Sequence, residues 1–187
     1  MTTRTDSRQR FIDAAVDLFH TQGYHATGLN QLVTAGGAPK GSLYFHFPGG
    51  KEQLAAEALD QAGKQLRERL AAVLDHGDID AVVDVLATNL VESDFTRACP
   101  LASVALDAAD SEPIRAACAG GFESWRVTIA EYLRAKGIGA ERAEQLSTVA
   151  LAMVEGALLL AKTNRDIAPL RAVAEHLRTL MDQELSR

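Results

Sequence analysis

Apolar positions recur at helical spacing along nearly the whole chain, and glycine and proline mark the breaks. From Asp6 to about Thr21, Phe11, Ala15, Leu18 and Phe19 share one helical face, and Gly23 supplies the stop. Thr27 suits the N-cap of a short helix over 28–35, with Leu29, Leu32 and Val33 inward. Gly36-Gly37-Ala38 predicts a turn, and Pro39 fits the first position of a third short helix ending near Phe45. Pro48-Gly49-Gly50 then breaks the chain.

Beyond Pro48 the helices lengthen. One runs over 51–76 with Leu59, Leu66 and Val73 on one side, and Asp78 caps another reaching about Ser93. Pro100 and Pro113 bound a short helix near 101–108. Longer helices follow over 112–136, 140–164 and 169–185. The change of scale predicts two parts: a three-helix head over 1–48 and a larger helical body over 49–187. The fold class is all-α.

Composition agrees. Alanine and leucine supply 55 residues against 18 for valine and isoleucine, and straight side chains lose little rotamer freedom in helices. Two cysteines without a CxxC spacing exclude a disulfide framework and a thiolate metal site, so neither metal nor cofactor is expected. The first ten residues lack the apolar stretch of a secretory leader. The longest apolar run, Val149 to Ala161, contains Glu155 and is shorter than the ~20 residues of a membrane span. The expectation is a cytoplasmic protein with no membrane partner. The five histidines lie in no HExxH, GxSxG or P-loop pattern, so no enzyme is expected.

Net charge is −6 but unevenly spread. Residues 1–50 carry four cations against three carboxylates, and the remainder carries 15 against 22. A near-neutral head on an acidic body is compatible with a small DNA-reading module. Two short helices joined by a glycine turn form a helix-turn-helix, whose second helix lies in the major groove. There it would present Pro39, Lys40 and Ser42, with Gly41 admitting close backbone approach. Lys40 suits guanine O6 or N7, and Ser42 suits either base type. Thr27 at a helix start, the Tyr44 hydroxyl and Lys51 are candidates for phosphates. On spacing alone, the same turn also occurs in helical proteins that never touch DNA, and Tyr44-Phe45-His46-Phe47 is equally an aromatic plug.

The segment Phe19…Gly23-Tyr24…Thr27…Lys40-Gly41-Ser42-Leu43-Tyr44-Phe45-His46-Phe47…Lys51-Glu52 closely resembles the head of TetR-type transcriptional regulators. The family's isoleucine-alanine pair on the second helix reads Leu32-Val33 here. The resemblance implies that Thr27, Tyr44 and Lys51 meet phosphates. It puts Pro39, Lys40, Gly41 and Ser42 at the groove, with His46 near the backbone or packed under the long helix. It further implies a homodimer on double-stranded operator DNA, and a body that binds a small effector.

The body offers its own signs. The helix over 140–164 carries Leu146, Val149, Met153, Ala157 and Leu160 on one stripe, and Leu151, Val154 and Leu158 on another. With Val173, Leu177 and Leu180 of the last helix, the first stripe suits a four-helix dimer interface, or else intrachain core. Cys99-Pro100-Leu101-Ala102-Ser103, Phe122-Glu123-Ser124-Trp125 and Val154-Glu155-Gly156-Ala157 resemble the LmrA/YxaF-type subgroup, linked with drug and flavonoid sensing. The candidate effector contacts are Phe95, Cys99, Leu106, Phe122, Trp125, Met153 and Glu155. Glu155 needs a salt-bridge partner, a cavity or an interface, because its stretch of helix is otherwise apolar. The main reading is a ligand-released repressor. The alternatives are a helical small-molecule binder or a Cys99/Cys118 thiol sensor, either with a vestigial head.

Overall fold

The computed structural model describes the backbone of residues 4–186 and the side chains of residues 7–186. Met1-Thr2-Thr3, the start of the ten-residue opening that carries no leader-like apolar stretch, lies outside the described residues. These residues form nine helices and no strand: α1 Arg4–Gln22, α2 Leu29–Gly36, α3 Lys40–His46, α4 Gly50–His76, α5 Ile79–Glu92, α6 Pro100–Asp107, α7 Glu112–Ala135, α8 Ala140–Asn164 and α9 Ala168–Leu185. The all-α expectation holds, and most boundaries fall within two residues of those predicted.

The chain divides into two compact units. The first takes residues 1–64 together with 100–122, so it holds α1 to α3, the first half of α4, α6 and the first part of α7. This compact unit therefore extends past residue 48. Leu54, Ala55 and Ala58 of α4 are fully buried, as are Phe11, Phe19, Leu32, Leu43 and Phe47. Phe47 stands edge-on to Phe11, with ring centroids 6.4 Å apart. From α6, the Asp107 carboxylate accepts the His25 N–H at 2.6 Å, and the Ser111 hydroxyl donates to Glu52 at 2.6 Å. These bonds tie a segment distant in sequence to the turn between α1 and α2 and to the start of α4.

The helix-turn-helix itself is tight. A Cβ built on Gly36 would lie 2.4 Å from Phe11 Cδ1, so α2 meets α1 where only a hydrogen fits. Gly37 ends α2 in the left-handed region at φ 60°, where its N–H bonds to Thr34 O at 3.2 Å. The start of α2 differs from expectation. Its N-cap is Gly28, whose N–H is met by the Gln31 side chain at 2.7 Å. Thr27 instead turns inward, as described below.

The second unit holds residues 65–99 and 123–187. Leu133, Ile138, Ala143 and Leu146 form one core cluster, flanked by Ile129, Tyr132 and Met181. Val83, Ala87 and Leu90 of α5 are buried, as are Leu170, Ala174 and Leu177 of α9. Ion pairs join the helices at their exposed edges: Arg142 to Glu184 at 2.7 Å and Arg178 to Asp80 at 3.1 Å. α8 is longer than the apolar run within it. At 25 residues, with a mean hydropathy of 1.5 over its most apolar window, it is long and apolar enough to cross a membrane by length and composition. It also packs along α9 inside this unit.

Candidate DNA interface and effector residues

On α3, a turn of helix with two buried anchors fixes which side faces out. Leu43 and the capping Phe47 are fully buried, so positions between them point away. Pro39, Lys40 and Gly41 are exposed, Ser42 is half-buried, Tyr44 is 45% exposed and Phe45 60% exposed. A Cβ on Gly41 would meet nothing within 4 Å. The fold's own packing therefore does not require glycine there. Phe45 was missed from sequence, although three consecutive aromatic or imidazole rings at the end of a seven-residue helix, with Phe47 as its cap, cannot all face inward.

Other expected contacts are engaged within the protein. Thr27 is fully buried. Its hydroxyl donates to Gly23 O at 2.7 Å and accepts from Gln22 Nε2 at 3.1 Å. The hydroxyl thus braces the α1–α2 turn. His46 is half-buried, with Nε2 2.9 Å from Ser7 Oγ, which pins the end of α3 to α1. Arg8 pairs with Glu57 and lies over the Phe47 ring at 5.5 Å, so its charge is largely compensated. Lys51 donates to Tyr24 O at 2.6 Å, with its ammonium 4.0 Å from the Tyr24 ring centroid. Burial pushes the Lys51 ammonium below its ordinary value, and the Asp107 carboxylate draws it partly back up. An ammonium has three donors, so this anchor leaves others for a phosphate.

The effector candidates divide between the units. Leu106 and Phe122 belong to the first, and Phe95, Cys99, Trp125, Met153 and Glu155 to the second. Leu106 is 80% exposed. Trp125 and Cys99 are buried, and Phe95, Phe122, Met153 and Glu155 are half-buried. The Cys99 thiol hydrogen-bonds the Glu155 carboxylate, while burial pushes that carboxyl above its ordinary range. Glu155 Oε2 is buried without a hydrogen-bond partner. Phe95 sits in a strained loop. Asp94, Phe95 and Arg165 all have φ between 51° and 57°, each costing about 1–3 kcal/mol. Arg165 pairs with Asp94 and lies 5.8 Å over the Phe95 ring.

Cys99 and Cys118 are both buried and outside any disulfide, and they fall in different units. Burial pushes the Cys118 thiol up to about 11, and it donates to Leu101 O at 3.7 Å. Such a thiol is a poor nucleophile.

The stripes on α8 resolve into an inner and an outer side. Leu146, Ala157 and Leu158 are buried within the chain, as is Leu177 on α9. Val149, Leu159 and Leu160 are about half exposed, at 46%, 58% and 54%. Ala152 and Gly156 lie exposed between them, while Met153, Val173 and Leu180 are half-buried. The expected dimer stripe thus mixed two faces: Leu146, Ala157 and Leu177 belong to the chain's own core.

Residues 11–58 match the family described as bacterial regulatory proteins, tetR family. Residues 77–176 match the LmrA/YxaF-like C-terminal domain of transcriptional regulators. The uncharacterized HTH-type transcriptional regulator YxaF of Bacillus subtilis is 39% identical, over 97% of this chain and 98% of its own. This chain belongs to the TetR family. It is a DNA-binding transcriptional regulator of the LmrA/YxaF-like group, not an enzyme. HTH-type transcriptional regulator LmrA of Bacillus subtilis is 38% identical over 94% of this chain and 97% of its own. The crystal structure of a TetR transcriptional regulator from Chloroflexus aurantiacus has a TM-score of 0.78 and 31% identity, covering 98% of both chains.

Proposed function

We propose that this regulator is a cytoplasmic homodimeric repressor that grips a palindromic operator with two α2–α3 heads and releases it when a small effector binds the body. The observation carrying this reading is the outward row on α3, where Lys40, Gly41, Tyr44 and Phe45 are exposed while Leu43 and Phe47 hold the helix down. Lys40 and Ser42 read base edges, Pro39 and Gly41 admit the backbone close to the groove, and the Tyr44 hydroxyl and a spare Lys51 donor hold phosphates. Phe45 adds an apolar contact to a thymine methyl or sugar. The partner subunit packs on the outward stripe of α8, Val149, Ala152, Gly156, Leu159 and Leu160. That pairing accounts for an apolar face on a helix otherwise resembling a membrane span.

Effector binding favours a conformer whose heads no longer match successive turns of the operator. A coupling of about 1–3 kcal/mol weakens DNA binding about 5–150-fold. The high thiol pKa of Cys118 and the burial of Cys99 weigh against a thiol sensor. The test is capture of sheared genomic DNA by tagged protein at fixed near-physiological salt, followed by sequencing. Enrichment of one palindrome is expected. No enrichment from folded, dimeric protein overturns the reading.

A further inference from the structure

Glu155 sits in the apolar stretch of α8 with Leu151 and Leu158 one turn away on either side. The residue is half-buried, yet its Oε2 atom is closed to solvent and has no hydrogen-bond partner. The thiol of Cys99, a weak donor, hydrogen-bonds the carboxylate and so engages Oε1. No cation among the described residues pairs with Glu155. A buried carboxylate in this state is costly, and an unmet lone pair adds the desolvation penalty of the group. No structural need explains it, since a leucine would continue the apolar pattern.

Two kinds of guest relieve such a group. A neutral donor meets the lone pair and leaves the charge uncompensated. A protonated amine meets both, through a charge-assisted bond about twice as strong as a neutral one. We propose that Glu155 anchors the effector through Oε2, and that the effector is an apolar molecule carrying a protonated amine. This rests on the reading of the chain as an effector-responsive regulator. Cys99 holds the other oxygen and sets the direction of the carboxylate. Burial holds the carboxyl above its ordinary range, and a paired ammonium would draw it back down.

The test compares diphenylpropylamine, diphenylpropanol and diphenylpropionate by isothermal calorimetry on the full-length protein. The three share an apolar body and differ in the head group. The amine is expected to bind at least about tenfold more tightly than the alcohol, and the acid not at all. In Glu155→Gln the amine falls to the alcohol's affinity, with the alcohol unchanged. Equal binding of amine and alcohol to the unaltered protein overturns the proposal, whether or not the variant folds. So does an amine preference that survives in Glu155→Gln. No amine binding up to about 1 mM also overturns it, and leaves an ordered water as the partner of Oε2. Genomic capture with the same preparation separates the failures: DNA binding without an amine response sinks this inference alone, and absence of DNA binding sinks the function beneath it.

Discussion

Replacing Gly36 by alanine tests the tightest contact in the head. The added methyl would lie 2.4 Å from Cδ1 and 2.7 Å from Cε1 of Phe11, whereas ordinary contact begins near 3.4 Å. The ring must retreat by about 1 Å to restore normal packing. Phe11 is fully buried and edge-on to Phe47, so the shift passes to the residue that caps α3. Overpacking of this kind costs roughly 1–3 kcal/mol. Alanine recovers at most about 1 kcal/mol of helix propensity, and less at the last position of α2. The expected net loss is about 1–2 kcal/mol, or roughly 2–8 °C in Tm for a chain of this size. Urea unfolding followed by circular dichroism reads it, with operator affinity measured in parallel. Gly41→Ala is the control. It is helical and its Cβ meets nothing within 4 Å. Alanine there should therefore raise stability by up to about 1 kcal/mol while weakening DNA binding. A Gly36→Ala protein as stable as the parent would refute the packing argument, and a Gly41→Ala protein with full DNA affinity would remove that backbone from the interface.

Leu160→Glu places a charge on the outward stripe of α8 without touching the chain's own core, so sedimentation should show monomer with helicity intact; a dimer of normal affinity would move the interface elsewhere. Lys51→Ala should flatten the fall of log K with log salt by about one, the slope of a single phosphate contact. An unchanged slope would mean that Lys51 serves only the Tyr24 carbonyl. Glu155 takes up a proton more readily in the folded chain than in the unfolded one, so its burden is absent in acid and grows as pH rises through its raised folded value. Glu155→Gln should gain stability relative to the parent over that rise and converge with it in acid, in thermal melts without ligand; a constant difference across pH would contradict the direction of the shift.

Much of this was legible in the sequence because helices announce themselves locally. Periodicity located each helix, and glycine and proline placed most ends within two residues. What failed was whatever depends on the far side of a helix. α8 is apolar on two faces, and periodicity cannot say which face the chain keeps for itself. Leu146 and Ala157 therefore entered the outward stripe while Leu159 was missed. Thr27 reads as a cap because threonine commonly caps, yet Gln31 reaches the Gly28 N–H and frees Thr27 to brace Gly23 O. Phe45 lay within a run of aromatics whose buried members no local rule separates. The joining of α6 to the head is set by bonds such as that from His25 to Asp107, across 82 positions that no local pattern spans.

That joining bears on how this head can be borrowed. Cutting after the third helix would strip Leu54, Ala55 and Ala58 from the apolar wall they complete, and would remove the carboxylate that receives the His25 N–H. A graft meant to move this DNA specificity onto another sensor should carry residues 100–122 along with residues 1–64. The transplantable piece is discontinuous, so recombination at a single crossover would separate its halves. With α3 reading the operator as proposed, point substitutions on it are the route by which such a protein would acquire a new operator while keeping its body.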